Sequence, residues 1–134
     1  MLVVDASAIV DLILNMPPHA ASIARRLQAQ PVLAAPHLLD AEVAAALRNR
    51  VLRGKLPSSA ALAAIEDLLA LSIERFPHAP LLSRAFALRD NASLYDALYL
   101  ALAETLEAPL LTRDRRLAGV PGTGARVEVV GGSA

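Results

Sequence analysis

Runs of apolar residues and helix-spaced apolar residues alternate along the chain, with prolines, glycines and short polar turns between them. The continuous apolar run at residues 2–4 is typical of a buried strand, and residues 7–14 repeat their apolar positions with the period of a helix. The same criteria predict further helices at residues 20–28, 40–53, 58–71, 80–89 and 93–106. They predict further strands at residues 31–36, 72–76, 109–112 and 126–130. Because Pro77 cannot donate to a central ladder, we expect the strand before it at a sheet edge.

This alternation predicts an α/β fold in which a parallel-stranded sheet carries helices on both faces, giving three layers. At 134 residues the chain has the length of one domain, and neither a linker nor an internal repeat divides it. We therefore expect a single domain over residues 1–134. Ligands of such sheets bind at the carboxyl ends of the strands, so the residues that follow the strands are the first candidates for a functional site.

Composition narrows the possible partners and the compartment. Hydrophobic residues make up 55% of the chain and charged residues 19%, which excludes a disordered polar chain. The 13 basic and 13 acidic residues balance, so a local patch must hold any anionic partner. The absence of cysteine excludes disulfides and thiolate chemistry, and no uncharged segment reaches the roughly 18 residues that a membrane span needs. We therefore expect a cytoplasmic protein with no membrane partner.

Two acidic residues follow predicted strands. Asp5 comes directly after the strand at residues 2–4, and Asp114 lies just beyond the strand at residues 109–112. In a parallel sheet both carboxylates point toward the same crevice at the carboxyl edge. Each of them could instead cap the turn or helix that follows it, and the residues alone leave both interpretations open.

Two further acidic residues lie near the starts of predicted helices. Asp96 stands three residues after Ser93, the spacing of a capping box, but the helix there is almost wholly apolar and a buried carboxylate needs a cation as partner. Glu42 lies in the first turn of its helix, where the helix dipole alone could favour an acid and where Asp40 is the expected N-cap. If the four acids converge, they form an oxygen-rich site for a hard divalent cation such as Mg²⁺, with Mn²⁺ as a substitute.

Four segments carry these acids and their neighbours, and they read VVDASAIVDL, AEVAAALRNRVLRGKL, SLYDALYLALAE and LLTRDRRL. In this order, and over nearly the whole chain, they resemble PIN-domain ribonucleases, specifically the VapC-type toxins of toxin–antitoxin pairs. The resemblance implies one acidic set with two polar neighbours in the pocket, namely Asp5, Glu42, Asp96 and Asp114 with Ser7 and Thr112. It gives no role to Asp11, which we expect on a solvated helix face.

The resemblance also implies an activity and two protein partners. Such a site hydrolyses RNA phosphodiesters with the help of bound Mg²⁺ or Mn²⁺ and without a covalent protein intermediate. A toxin of this type binds a small cognate antitoxin, and we expect a homodimer as well. The apolar residues of the helix at 58–71 agree with a protein partner, because they are too many for one narrow stripe and some should stay exposed in a monomer.

Local basic residues must hold the RNA, because the chain as a whole is neutral. Residues 48–55 contain basic side chains and no acid, and a second basic group surrounds Asp114. The candidates for phosphate contacts are Arg48, Arg50, Arg53, Lys55, Arg113, Arg115 and Arg116. The first run is equally compatible with a solvated helix C-terminus, where cations interact favourably with the helix dipole.

Three other functions stay open on the sequence alone. A receiver-like phosphoacceptor module needs an early acidic pair and a late lysine, whereas Asp5 stands alone and Lys55 lies in mid-chain. A phosphatase with an aspartate nucleophile usually has a second acid two residues on, where this chain has Ser7. A catalytically inactive PIN-fold protein-binding module is opposed only by the presence of all four acids. Zinc, Walker and Ser-His-Asp sites lack their sequence motifs.

Overall fold

A five-stranded parallel sheet forms the centre of the protein in the computed structural model, which describes residues 1–131. Residues 132–134, the end of the expected domain, lie outside the described residues. The strands are β1 (Leu2–Val4), β2 (Leu33–Pro36), β3 (Ile73–Phe76), β4 (Leu110–Thr112) and β5 (Val127–Val129). They lie in the order β3-β2-β1-β4-β5, which confirms the predicted parallel α/β sheet and places β3 at an edge.

Helices cover both faces of the sheet. They are α1 (Ala6–Ile13), α2 (Ala20–Gln28), α3 (Leu38–Leu52), α4 (Ser58–Ala70), α5 (Leu82–Ala87) and α6 (Leu94–Leu106). The first four pack on one face and the last two on the other. Side chains of β1 alternate between these layers: Leu2 and Val4 join the core under α1–α4, and Val3 joins the core under α5 and α6. The predicted three-layer architecture is confirmed.

Helix α6 is the most deeply buried helix of the described chain. Every residue from Ala97 to Ala103 is at most 3% exposed. Protein surrounds this segment on all sides, namely α5, the sheet and the C-terminal segment, and this explains why its side chains are apolar all round. None of the helices within residues 1–131 is long and apolar enough to span a membrane.

Two of the predicted helices have wrong boundaries, by two residues or more. The segment at 80–89 begins as a 3₁₀ turn over Ala79–Leu81 and continues as the short helix α5. Helix α3 begins at Leu38, two residues before Asp40, so Asp40 is not its N-cap. The N–H of Leu38 instead donates to Nε2 of His78 at 2.9 Å, and Asp40 pairs with Arg75 of β3. A cap from 40 residues away leaves no local signal in the sequence.

The strand order places a crevice between β1 and β4. From β1 the chain continues to β2 and β3 on one side, whereas β4 and β5 lie on the other side. Ligands of open α/β sheets bind at such a switch point, outside the carboxyl ends of the strands. In the register of β1 and β4, Val4 stands opposite Leu111, so the next residues, Asp5 and Thr112, meet at this edge.

Gly54 ends α3 with a φ of +69°, in the left-handed region that residues other than glycine disfavour. We expect Gly54→Ala to lower the free energy of unfolding by about 1 kcal/mol, because alanine is strained at that φ. Gly119→Ala is the matched control, since its added Cβ also meets nothing within 4 Å but its φ is not left-handed. Urea unfolding of both variants measures the difference, and equal stabilities would contradict the expected strain.

Candidate active site

Asp5 is fixed at the end of β1 by three hydrogen bonds. Its Oδ1 accepts from the backbone N–H of Ala8 at 3.1 Å and from the hydroxyl of Ser7 at 2.7 Å. Its Oδ2 accepts from the hydroxyl of Thr112. The bond from Ala8 makes Asp5 the N-cap of α1. Asp5 thus caps a helix and also lies at the crevice, so the two interpretations of this residue are compatible.

The hydroxyls of Ser7 and Thr112 tie the loop after β4 to the start of α1. Thr112 is fully buried, and its Oγ1 accepts from the N–H of Asp114 at 2.9 Å. Ser7 Oγ accepts from the N–H of Arg113 at 2.9 Å. The structure therefore places both predicted polar neighbours in contact with Asp5, and it fixes the backbone that carries Asp114.

Glu42 and Asp96 approach the same edge from opposite faces of the sheet. Glu42 lies on α3, and its Oε1 accepts from the hydroxyl of Tyr99 on α6 at 2.7 Å. Asp96 lies one turn before Tyr99, and Ser93 caps α6 by accepting from the N–H of Asp96 at 3.1 Å. Sequence reasoning missed Tyr99, although a tyrosine hydroxyl three residues after Asp96 in a largely apolar helix was a usable signal.

The carboxylates act on one another electrostatically. Burial raises the pKa of Asp5 above its ordinary value; hydrogen bonds from Thr112, Ser7 and Ala8 lower it in part, and the charge of Asp114 raises it. Burial likewise raises the pKa of Glu42; the bond from Tyr99 opposes this, and the charges of Asp96 and Asp5 add to it. Negative charge is therefore concentrated at this edge, which favours a cation.

Asp114 differs from the other acids because it has a counter-ion. Hydrogen bonds from the Arg116 guanidinium lower the pKa of Asp114, with the nearest nitrogen–oxygen distance at 2.7 Å. The Arg116 side chain is 86% exposed, so water and dissolved ions screen this ion pair and weaken it. Asp114 is thus paired in this state but accessible.

The donor set suits a hydrated divalent cation better than a fully protein-bound one. Within residues 1–131, no three acidic or histidine side chains lie close enough together to coordinate one ion. Mg²⁺ usually keeps several waters and takes only one or two carboxylates directly. Hard carboxylate oxygens gathered at one partly buried edge therefore fit Mg²⁺ or Mn²⁺ held through waters.

The expectation of a solvated position for Asp11 is wrong. Asp11 is only 9% exposed, and it accepts a hydrogen bond from Nη1 of Arg113. The loop after β4 brings Arg113 to α1 across 102 residues of sequence, so local periodicity gave no sign of the pair. Arg50 is half-buried, whereas Arg48, Arg53 and Lys55 of the same basic run are exposed. Arg115 is exposed and donates to the carbonyl of Gly131 at 3.3 Å.

Comparison with known proteins identifies the class. Residues 2–122 match the PIN domain family. The ribonuclease VapC1 of Mycobacterium tuberculosis is 44% identical over 129 residues, covering 96% of each chain. The sarcin–ricin-loop-cleaving toxin VapC20 of the same species superposes with a TM-score of 0.72 at 18% identity, over 92% of this chain and 96% of that one. A chain of a toxin–antitoxin complex from Klebsiella pneumoniae superposes with a TM-score of 0.66 at 20% identity, over 96% of this chain and 97% of that one.

The chain therefore belongs to the PIN-domain family, and within that family to the VapC ribonucleases. This confirms the resemblance drawn from the four sequence segments. It also leaves the receiver-like and phosphatase interpretations without support, since residues 2–122 match the PIN domain family.

Proposed function

We propose that this protein is a metal-dependent endoribonuclease that hydrolyses RNA phosphodiesters as the toxin of a toxin–antitoxin pair. The observation that carries the proposal is the match over 96% of the chain to a relative named a ribonuclease. The geometry supports it, because acids from β1, α3, α6 and the loop after β4 act on one another electrostatically near the edge of the sheet where ligands bind. Because the proposed substrate and partner are both found in the cytoplasm, we also propose that the protein acts there.

Asp5, Glu42, Asp96 and Asp114 are the residues that would hold Mg²⁺, with Mn²⁺ as a substitute. A bound divalent ion lowers the pKa of a coordinated water and offsets phosphate charge. Thr112 and Ser7 keep Asp5 in one rotamer by donating to both of its oxygens. Tyr99 orients Glu42 in the same way from α6. These bonds hold two of the acids rigid before any ligand arrives.

The direct test is an RNA cleavage assay with total RNA and a divalent-ion series. We expect cleavage with Mg²⁺ or Mn²⁺ and none with excess EDTA, because the acids alone repel the phosphodiester. Readdition of Mg²⁺ after EDTA should restore cleavage, which separates metal removal from unfolding. Undiminished cleavage in EDTA would refute metal dependence but would leave ribonuclease activity standing.

The antitoxin has a candidate surface on α4. Leu62 and Leu69 are 63% and 65% exposed, and Ile65 between them is half-buried, whereas Leu68 faces the core. An exposed apolar face of this kind marks a protein interface. We propose that it binds an amphipathic helix of the antitoxin, and that the toxin is a homodimer.

Co-expression tests the toxin assignment. Induction of the wild-type gene alone should stop bacterial growth, and induction together with the adjacent small gene should not, because the antitoxin blocks the nuclease. Leu62→Glu with Leu69→Glu should weaken that protection, whereas Asp67→Lys, on a different face of the same helix, is the control for a surface change. Harmless expression of soluble wild-type protein would contradict the toxin role.

A further inference from the structure

A cleft of about 360 Å³ opens between α1 and α3, next to the acidic site. Its apolar wall consists of small side chains, and its polar wall includes two arginines; the lining residues are Ala6, Ser7, Val10, Asp11, Ala46, Arg50 and Arg113. Ser7 belongs to both places, because its hydroxyl donates to Asp5. A ligand in this cleft would therefore lie directly beside the candidate catalytic residues.

Arg113 lines this cleft with a side chain that is 36% exposed. Its Nη1 donates to Asp11, which holds the guanidinium in place, and its backbone N–H donates to Ser7. Its Nε is buried and has no hydrogen-bond partner within residues 1–131. Because the side chain is partly exposed and only its Nη1 is bonded to Asp11, an anion in the cleft can accept charge-assisted hydrogen bonds from the exposed part of the guanidinium. The planar fork of arginine suits a phosphate in particular.

Positive charge continues outward from Arg113 along α3. Arg50 lines the cleft, and it also lines an adjoining hollow of about 320 Å³ together with Ala46, Asn49, Arg53 and Lys55. Among the described residues that line either hollow, Asp11 alone is acidic, and Arg113 already neutralises it. A row of cations that starts at the acidic site suits a chain of phosphates better than an isolated anion.

We propose that the α1–α3 cleft binds a phosphate of the RNA strand next to the scissile position, through the guanidinium groups of Arg113 and Arg50, with Asp11 as the residue that positions Arg113. This inference rests on the proposed ribonuclease function. Of the basic residues that the sequence suggested for phosphate contacts, the inference assigns Arg113 and Arg50 a direct contact with the RNA. It leaves Arg48, on the exposed side of α3, to a general electrostatic role.

The test is the affinity for a labelled single-stranded RNA, measured in EDTA by fluorescence anisotropy over a range of salt concentrations. Arg113→Lys keeps the charge opposite Asp11 but removes the fork, and the double variant Asp11→Asn, Arg113→Gln keeps the net charge of the wild type. We expect each to weaken binding roughly tenfold, the cost of a lost charge-assisted hydrogen bond. Loss of the phosphate contact in the double variant should lower the slope of log affinity against log salt by about 0.7.

Arg25→Ala is the matched control, because it removes an exposed positive charge from the last turn of α2 that lines neither hollow. We expect it to leave the affinity within about twofold of the wild type, since salt screens an exposed charge that does not contact the strand. Thermal melting of every variant identifies any that fail to fold, and the charge-preserving pair of substitutions keeps the test valid if Arg113→Lys is unstable.

Three outcomes would overturn the inference, and they differ in what they leave standing. If the cleft variants bind RNA as well as Arg25→Ala does, the cleft is not a phosphate site, although the ribonuclease function stands. If the cleft variants no longer bind the antitoxin but keep their affinity for RNA, the cleft binds a protein. If the wild type neither binds nor cleaves RNA, the proposed function fails together with the inference.

Discussion

Asp96→Asn is expected to reduce RNA cleavage at least about 100-fold, because loss of a metal-holding carboxylate removes several kcal/mol of transition-state stabilisation. Asp96 is the best of the four acids for this test. Its carboxylate is half-buried and is not the cap of α6, since Ser93 caps that helix. Asp5 by contrast accepts three hydrogen bonds, so Asp5→Asn would place an amide donor against other donors and disturb the fold.

The control for Asp96→Asn is Asp90→Asn, which removes the same charge from the turn between α5 and α6. In EDTA the melting temperatures of both variants should lie close to that of the wild type. Millimolar Mg²⁺ should raise the melting temperature of the wild type and of Asp90→Asn, since an ion that binds only the folded state stabilises it. The same Mg²⁺ concentration should raise the melting temperature of Asp96→Asn by less. Full cleavage by Asp96→Asn would remove this residue from the site.

Glu104→Gln is expected to lower the free energy of unfolding at pH 7 by about 2 kcal/mol, the largest stability effect that we predict. The Glu104 carboxylate on α6 accepts from Nε and Nη2 of Arg84 at 2.7 and 3.1 Å, from the hydroxyl of Thr123 at 2.6 Å and from the N–H of Gly124 at 3.1 Å. It therefore ties α5 and the segment before β5 to the buried helix. Arg84 is 43% exposed, so solvent screens part of the ion pair.

The effect of Glu104 depends on pH in a defined direction. The hydrogen bonds from Arg84, Thr123 and Gly124 lower the pKa of Glu104 to about 2, from 4.5 in the unfolded chain. A lowered acid pKa contributes stability that is present above pH 4.5 and is lost as the pH falls toward 2. The stability difference between the wild type and Glu104→Gln should therefore shrink in that window.

Urea unfolding at pH 7 and at pH 3 measures this difference. Glu66→Gln is the matched control, because Glu66 is exposed on α4 and its loss changes the net charge equally. We expect the free energy of unfolding of Glu66→Gln to stay within about 0.5 kcal/mol of the wild-type value at both pH values. A gap between the wild type and Glu104→Gln that is the same at pH 7 and pH 3 would show that shape, and not charge, accounts for the role of Glu104.

Much of the fold was predictable from the sequence because its signals are local. The apolar run at 2–4 and the helical period at 20–28 each depend on a few neighbouring residues, and the structure has elements with these bounds. Pro77 identified β3 as an edge strand because a missing N–H is a property of one residue. The start of α3 was not predictable, since its cap is the imidazole of His78 on another segment.

The sequence by itself determined the three-layer class, which follows from the alternation of strands and helices, and the family, which four of its segments resemble. It also singled out four acids as candidates for the site. The tertiary structure decided how the acids are held, through the bond from Tyr99 to Glu42 and the hydroxyls of Ser7 and Thr112 around Asp5. It also decided that Asp11 is buried against Arg113. The physical reason is that burial and pairing depend on which segments the sheet order brings together, and a pattern along one segment carries no information about the partner that another segment supplies.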